Sequence, residues 1–129
     1  MLVLDTHALL WWALDPERLS PTASELCARM EKEGGLASSI SIWELGVKVA
    51  RGKLDLGIPV EELARRLERS GVVELVPVDV EIWLRSLALA WSHRDPADRV
   101  IAATALRARM PLLTKDEAMA TCPGLHCVW

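Results

Sequence analysis

Four acidic residues are set where chemistry can be done: Asp5, Glu44, Asp98 and Asp116. Asp5 closes the apolar run Met1-Leu2-Val3-Leu4, and Asp116 comes two residues after Thr114 closes another. Carboxylates gathered in one place repel each other unless cations neutralise them. A ligand set of oxygens alone, without His or Cys, suits hard dications such as Mg²⁺ or Mn²⁺. Two such ions about 4 Å apart serve phosphoryl transfer, activating a water and stabilising the leaving oxygen. Whether the four acids meet depends on the elements that carry them.

The run before Asp5 reads as a buried strand. A helix through Ala8–Trp12 follows and stops before Asp15-Pro16. Ser20-Pro21 is an N-cap with Pro at the first helical position, and Ala23, Leu26, Cys27 and Met30 carry that helix to Gly34-Gly35. Gly35–Ser38 reads as a second strand, and Ser41-Ile42-Trp43-Glu44 matches a capping box opening a helix. The next helix is built on Val60, Leu63, Ala64 and Leu67. Val72–Val76 is a third strand, followed by a long helix whose stripe is Val80, Trp83, Leu84, Leu87, Ala88 and Trp91. Asp95-Pro96 starts another helix, Pro111–Thr114 reads as a fourth strand, and His126–Trp129 as a short last one. Strands alternating with helices predict an α/β fold with a parallel sheet in one domain, residues 1–129. In such folds ligands collect beyond the carboxyl ends of the strands, where strand order reverses.

That rule selects among the acids. Asp5 and Asp116 project from strand ends, although a turn or helix cap would explain each separately. Glu44 lies about 200° from Ile42 on the helical wheel, where it can also pair with Lys48 one turn on. Asp95 has a local duty as an N-cap, whereas Asp98 flanks the apolar stripe one turn in. Asp98 is therefore the chemical candidate, and Asp95 the structural or supporting one. No Ser/His/Asp order, phosphate-binding loop or dinucleotide glycine pattern competes. A phosphatase of the Asp-x-Asp type would need an acid at position 7, which is His7.

At these positions the sequence resembles a PIN-domain ribonuclease, specifically the VapC toxins of VapBC toxin–antitoxin pairs. The resemblance rests on Leu4-Asp5-Thr6-His7-Ala8-Leu9-Leu10-Trp11-Trp12 and Ser39-Ile40-Ser41-Ile42-Trp43-Glu44. It continues in His93-Arg94-Asp95-Pro96-Ala97-Asp98-Arg99, running into Ile101–Ala105, and in Leu113-Thr114-Lys115-Asp116. Together these span nearly the whole chain in family order. The resemblance implies that Asp5, Glu44, Asp98 and Asp116 hold Mg²⁺ or Mn²⁺, with Thr6 and Thr114 as supporting polar groups. It implies a parallel five-stranded sheet sandwiched by helices. It also implies cleavage of a tRNA or rRNA that stops translation, a VapB antitoxin that blocks the site, and a homodimer. The rival reading is a PIN fold without turnover that acts by binding alone.

Charge and composition fit an RNA partner once the acids are set aside. The formal net charge is −3, and removing the four carboxylates leaves +1 for the rest. Lys48, Arg51 and Lys53 follow Glu44, while Arg94, Arg99 and Lys115 flank the other acids, so all six are candidates for RNA phosphates. His93 is a candidate proton shuttle. The aromatic set is six Trp with no Phe or Tyr. Trp11 and Trp12 lie 100° apart on one helix, so part of that surface is expected to meet another chain. Three cysteines without a framework spacing predict reduced thiols in a cytoplasmic protein. No run approaches the about 20 apolar residues of a membrane span.

Overall fold

The structure is a computed structural model and describes all 129 residues. Five parallel strands form one sheet: β1 (Val3–Leu4), β2 (Gly35–Ser38), β3 (Val73–Val76), β4 (Leu112–Leu113) and β5 (Cys127–Val128). Their order is β3-β2-β1-β4-β5, so β1 is central. The chain steps outward from β1 through β2 to β3, then returns to β1's other side with β4. Strand order therefore reverses between β1 and β4, and the crevice of the parallel-sheet rule opens there. Val3 pairs with Leu36 on one side and Leu112 on the other.

Six helices connect the strands: α1 (Thr6–Leu14), α2 (Pro21–Glu33), α3 (Ile40–Ala50), α4 (Val60–Ser70), α5 (Val80–Ala88) and α6 (Pro96–Ala108). Alternate strand residues feed two cores. Leu4, Ala37, Val73 and Leu113 pack with Leu9 of α1, Met30 of α2 and Leu63 of α4. Val3 and Leu112 pack on the opposite face with Ile82 of α5 and Val100 and Ile101 of α6. The α6 face is closely fitted because Ala97, Ala102, Ala103 and Ala105 are all buried. Gly35 lets α2 approach β2: a Cβ there would stand 2.5 Å from Met30 Sδ.

Three expectations fail in ways the structure explains. The helix predicted to reach Trp91 stops at Ala88, and the Trp91 indole instead donates to Thr121 Oγ1 at 2.8 Å. Its apolar stripe also faces outward: Val80 is 72% exposed and Leu87 76%, while Ile82 and Ser86 face the core. Amphipathic periodicity finds a stripe but does not say which body covers it. Third, no capping box forms at Ser41. The N-cap of α3 is Ser39 without a side-chain bond, and Ser41 lies inside the helix, fully buried. Trp11 and Trp12 are half-buried, and both have partners within the chain. Trp11 packs against Trp129 at 5.7 Å, and the Trp12 indole donates to Glu31 at 3.1 Å. The exposed indoles are Trp43 and Trp83.

Candidate active site

Asp5 leaves β1 in extended conformation and becomes the N-cap of α1, its Oδ1 accepting the Ala8 N–H at 2.8 Å. Only 8% of the residue is exposed. Burial pushes its carboxyl up to about 6. The Thr114 hydroxyl and the Ala8 amide pull it down, and the Asp116 and Glu44 carboxylates push it further up. No cation forms an ion pair with Asp5.

Glu44 is delivered by α3 and held from α1. The Thr6 hydroxyl donates to Glu44 Oε1, and Ser41 Oγ stands 2.9 Å from Thr6 Oγ1. A hydroxyl has one proton to give, so Ser41 must donate to Thr6. The relay Ser41–Thr6–Glu44 explains why a polar residue is buried inside α3. Lys48 Nζ lies 3.8 Å from Glu44 on the far side.

The start of α6 separates its two acids by duty. Asp95 Oδ1 accepts from the Ala97 N–H at 2.9 Å and the Asp98 N–H at 3.3 Å, which makes it the cap. Asp98 Oδ2 meets His93 Nε2 at 2.7 Å. Burial holds the Asp98 carboxyl above its ordinary value, the His93 bond opposes this, and Asp95 and Glu44 add to it. His93 stacks on Trp91 with centroids 4.6 Å apart. On the fourth side, Thr114 Oγ1 accepts the Asp116 N–H at 3.0 Å, and Asp116 Oδ1 accepts the Ala118 N–H at 2.9 Å.

Glu44 and Asp116 thus both act on Asp5, and Glu44 also acts on Asp98. His7 is a residue that sequence reasoning passed over, although it sits in the Asp5-Thr6-His7 run. Burial and Lys48 hold its imidazole below the ordinary value, against the pull of Glu44, Asp98 and Asp116. His7 is thus within electrostatic reach of three of the four acids. No three His, Cys, Asp or Glu side chains are gathered tightly enough to ligate one ion as they stand. Each outer acid is instead turned to a neighbour: Glu44 to Thr6, Asp98 to His93, and Asp116 to the Ala118 amide. The donors are nonetheless hard oxygens, and the buried Asp5 carboxylate has no compensating charge. Both features suit a dication.

The six basic candidates divide. Arg99 is not free for phosphate: its guanidinium donates to the carbonyls of Ser86, Leu89, Trp91 and His93 at 2.7–2.9 Å. It is a clamp on the segment between α5 and α6, and the sequence shows only that it is basic. Lys48 is shared with Glu44. Lys115 Nζ lies 5.8 Å above the Trp11 ring, a cation–π contact that leaves its charge without a carboxylate. Arg51, Lys53 and Arg94 are exposed. No helix is long and apolar enough to cross a membrane, and all three cysteines are free thiols.

Comparison with known proteins follows the same lines. The profile of the PIN domain matches residues 2–124. Over 118 residues, 91% of this chain and 88% of the relative, the sequence is 32% identical to Ribonuclease VapC22 of Mycobacterium tuberculosis. Among solved structures, a chain of VapBC2 from Rickettsia felis, bound to a DNA fragment from their promoter, superposes with TM-score 0.69 at 17% identity. That match covers 99% of this chain and 98% of the other. A chain of a toxin–antitoxin complex from Klebsiella pneumoniae gives TM-score 0.65 at 20% identity, covering 100% and 97%. At those identities the two structures speak to the fold alone.

Proposed function

Because this chain belongs to the PIN-domain family, within the VapC ribonucleases, we propose that it is an endoribonuclease toxin using Mg²⁺ or Mn²⁺. The whole 1–129 span acts as one catalytic domain. Its substrate is cellular RNA, a tRNA or rRNA, and its cleavage stops translation in the cytoplasm. A VapB-type antitoxin neutralises it.

The observation that carries this reading is Asp5: a carboxylate almost fully buried, at the strand-order reversal, with other acids beside it and no cation of its own. When bound, a dication would balance that charge and provide Lewis-acid activation of the phosphodiester and of water. Asp5, Glu44, Asp98 and Asp116 are the groups that would hold it. The chain's own residues do the positioning. Thr6 fixes one Glu44 oxygen, Thr114 supports Asp5 and the Asp116 backbone, and His93 orients Asp98. Asp95 holds the start of α6 and with it the Asp98 backbone. One carboxylate accepts the proton of the attacking water. Arg94 and Lys115 draw the RNA backbone to the edge.

A homodimer is part of the reading. Val80, Trp83, Leu84 and Leu87 form an exposed apolar face of α5, and faces of that kind are usually covered in assemblies.

The test is cleavage of total RNA by chain freed of any antitoxin. Mg²⁺ or Mn²⁺ should support cutting, excess EDTA should end it, and Asp5→Asn should lower it at least about 100-fold while the protein stays folded. Full cutting by Asp5→Asn, or in EDTA, overturns the reading. RNA bound but never cut would instead favour a binding module.

A further inference from the structure

We propose that Trp43 is a stacking platform for one base of single-stranded RNA, with Arg51 and Lys53 taking the flanking phosphates. The proposal rests on the ribonuclease reading and states how its substrate is held beside the acids.

Trp43 is 62% exposed, on the turn of α3 that carries Glu44. Neighbouring α3 residues do bury: Ser41 and Leu45 are fully inside. An indole left in water next to a catalytic carboxylate is a costly use of a large apolar ring. It lines a 360 Å³ cleft with Glu44, Lys48, Arg51 and Lys53, closed across the gap by Asp95-Pro96-Ala97 at the start of α6. The cleft therefore runs between the carriers of two proposed metal ligands, Glu44 and Asp98. A nucleotide lying in it would be next to the phosphate being cut.

Charge selects the occupant. Both carboxylates in the cleft are engaged, Glu44 by Thr6 and Lys48, and Asp95 by the α6 amides. The charges left without a partner are Arg51 and Lys53, both positive, since neither forms an ion pair. An aromatic face bordered by free cations matches a single-stranded polyanion with flat bases. An Arg- or Lys-rich peptide would meet like charge. Stacking of this kind reads the face of a base and not its edge, so the subsite tolerates any base but requires an unpaired one.

Binding can be measured apart from cutting. The full chain carrying Asp5→Asn, in EDTA, is titrated into a labelled single-stranded RNA of about ten nucleotides and followed by fluorescence anisotropy. Adding Trp43→Ala should weaken binding about 5- to 150-fold, the worth of one stacked base. Trp43→Phe should recover it to within about threefold of the parent. Arg51→Ala with Lys53→Ala should reduce the slope of log affinity against log salt by about 1.4, two phosphate contacts on a single strand. Because Trp43 is exposed, Trp43→Ala should keep the parent's circular dichroism. Parent-like binding by Trp43→Ala, equal weakness of the Phe and Ala variants, or no binding by the parent would each overturn the proposal. The first outcome would assign Trp43 to a protein partner. Trp43-dependent binding in a wild-type chain that cuts no RNA would support this subsite while overturning the ribonuclease reading.

Discussion

The Asp5 carboxylate is anchored through one oxygen to the Ala8 amide and sits where water scarcely reaches. Its folded value of about 6 lies above the ordinary 3.8. Between those values the folded chain holds a proton that the unfolded chain has lost, so stability falls as pH rises through this window. Above pH 6 the metal-free fold carries the whole penalty, about 3 kcal/mol for a shift of some two units. Asp5→Asn removes the charge and keeps the cap, because Asn caps helices as well as Asp does. In EDTA, urea denaturation should find Asp5→Asn more stable than wild type by up to about 3 kcal/mol at pH 7.5. The gap should close by pH 4, and a gap independent of pH would refute the assignment. The same variant that is expected to end cutting should thus strengthen the metal-free fold. At this scale the sequence was informative about acids at strand ends and the Asp95–Asp98 division of labour, because caps and strand ends are local. It was silent on Arg99, whose four acceptors span Ser86 to His93 and depend on where α5 stops.

Among the elements, the link from α5 to α6 positions His93 and through it Asp98; Arg99 ties it with four hydrogen bonds, and the Trp91 indole adds one to Thr121. Arg99→Ala would leave those four carbonyls without their donor. Charged hydrogen bonds of this kind are worth about 1.5–3 kcal/mol each, partly recovered by water here. Equilibrium denaturation should show a loss of about 2–4 kcal/mol, and near-ultraviolet circular dichroism should report release of the Trp91–His93 stack. An unchanged transition would show that the clamp is dispensable. At the other end of α6, exposed Arg109 takes φ 55°, the left-handed C-cap conformation that Gly adopts without steric cost. Arg109→Gly should therefore raise stability by about 0.5–1 kcal/mol in the same assay. A lower stability would mean that Arg109 has a contact beyond its backbone. Element types were legible in the sequence because helical and strand periods differ. Element ends were less so: α5 stops three residues before Trp91 although the apolar pattern continues. Periodicity records contact with something, and the half-buried Trp91 is held by Thr121 at the end of a short 3-10 helix.

For the whole molecule, parallel topology followed from the alternation of elements, but the outward face of α5 did not. Its spacing is that of a core helix, yet Ile82 and Ser86 face inward and the stripe faces out. If the stripe joins two copies, wild type should sediment as a dimer. Leu84→Glu with Leu87→Glu should sediment as a monomer with little change in melting temperature, since both side chains are exposed. A monomeric wild type would leave the face to another partner. The sheet has one more consequence. Central β1 takes β2 as its neighbour early in the chain and β4 only late, and Asp116 comes after β4. A ribosome synthesising this protein therefore makes the most deeply buried acid first and the last acid near the end. Until β4 docks, there is no crevice and no complete set of carboxylates. On the proposed reading, in which the target belongs to the translation machinery, the chain is thus harmless to it through most of its own synthesis, and the proposed antitoxin has that interval in which to arrive.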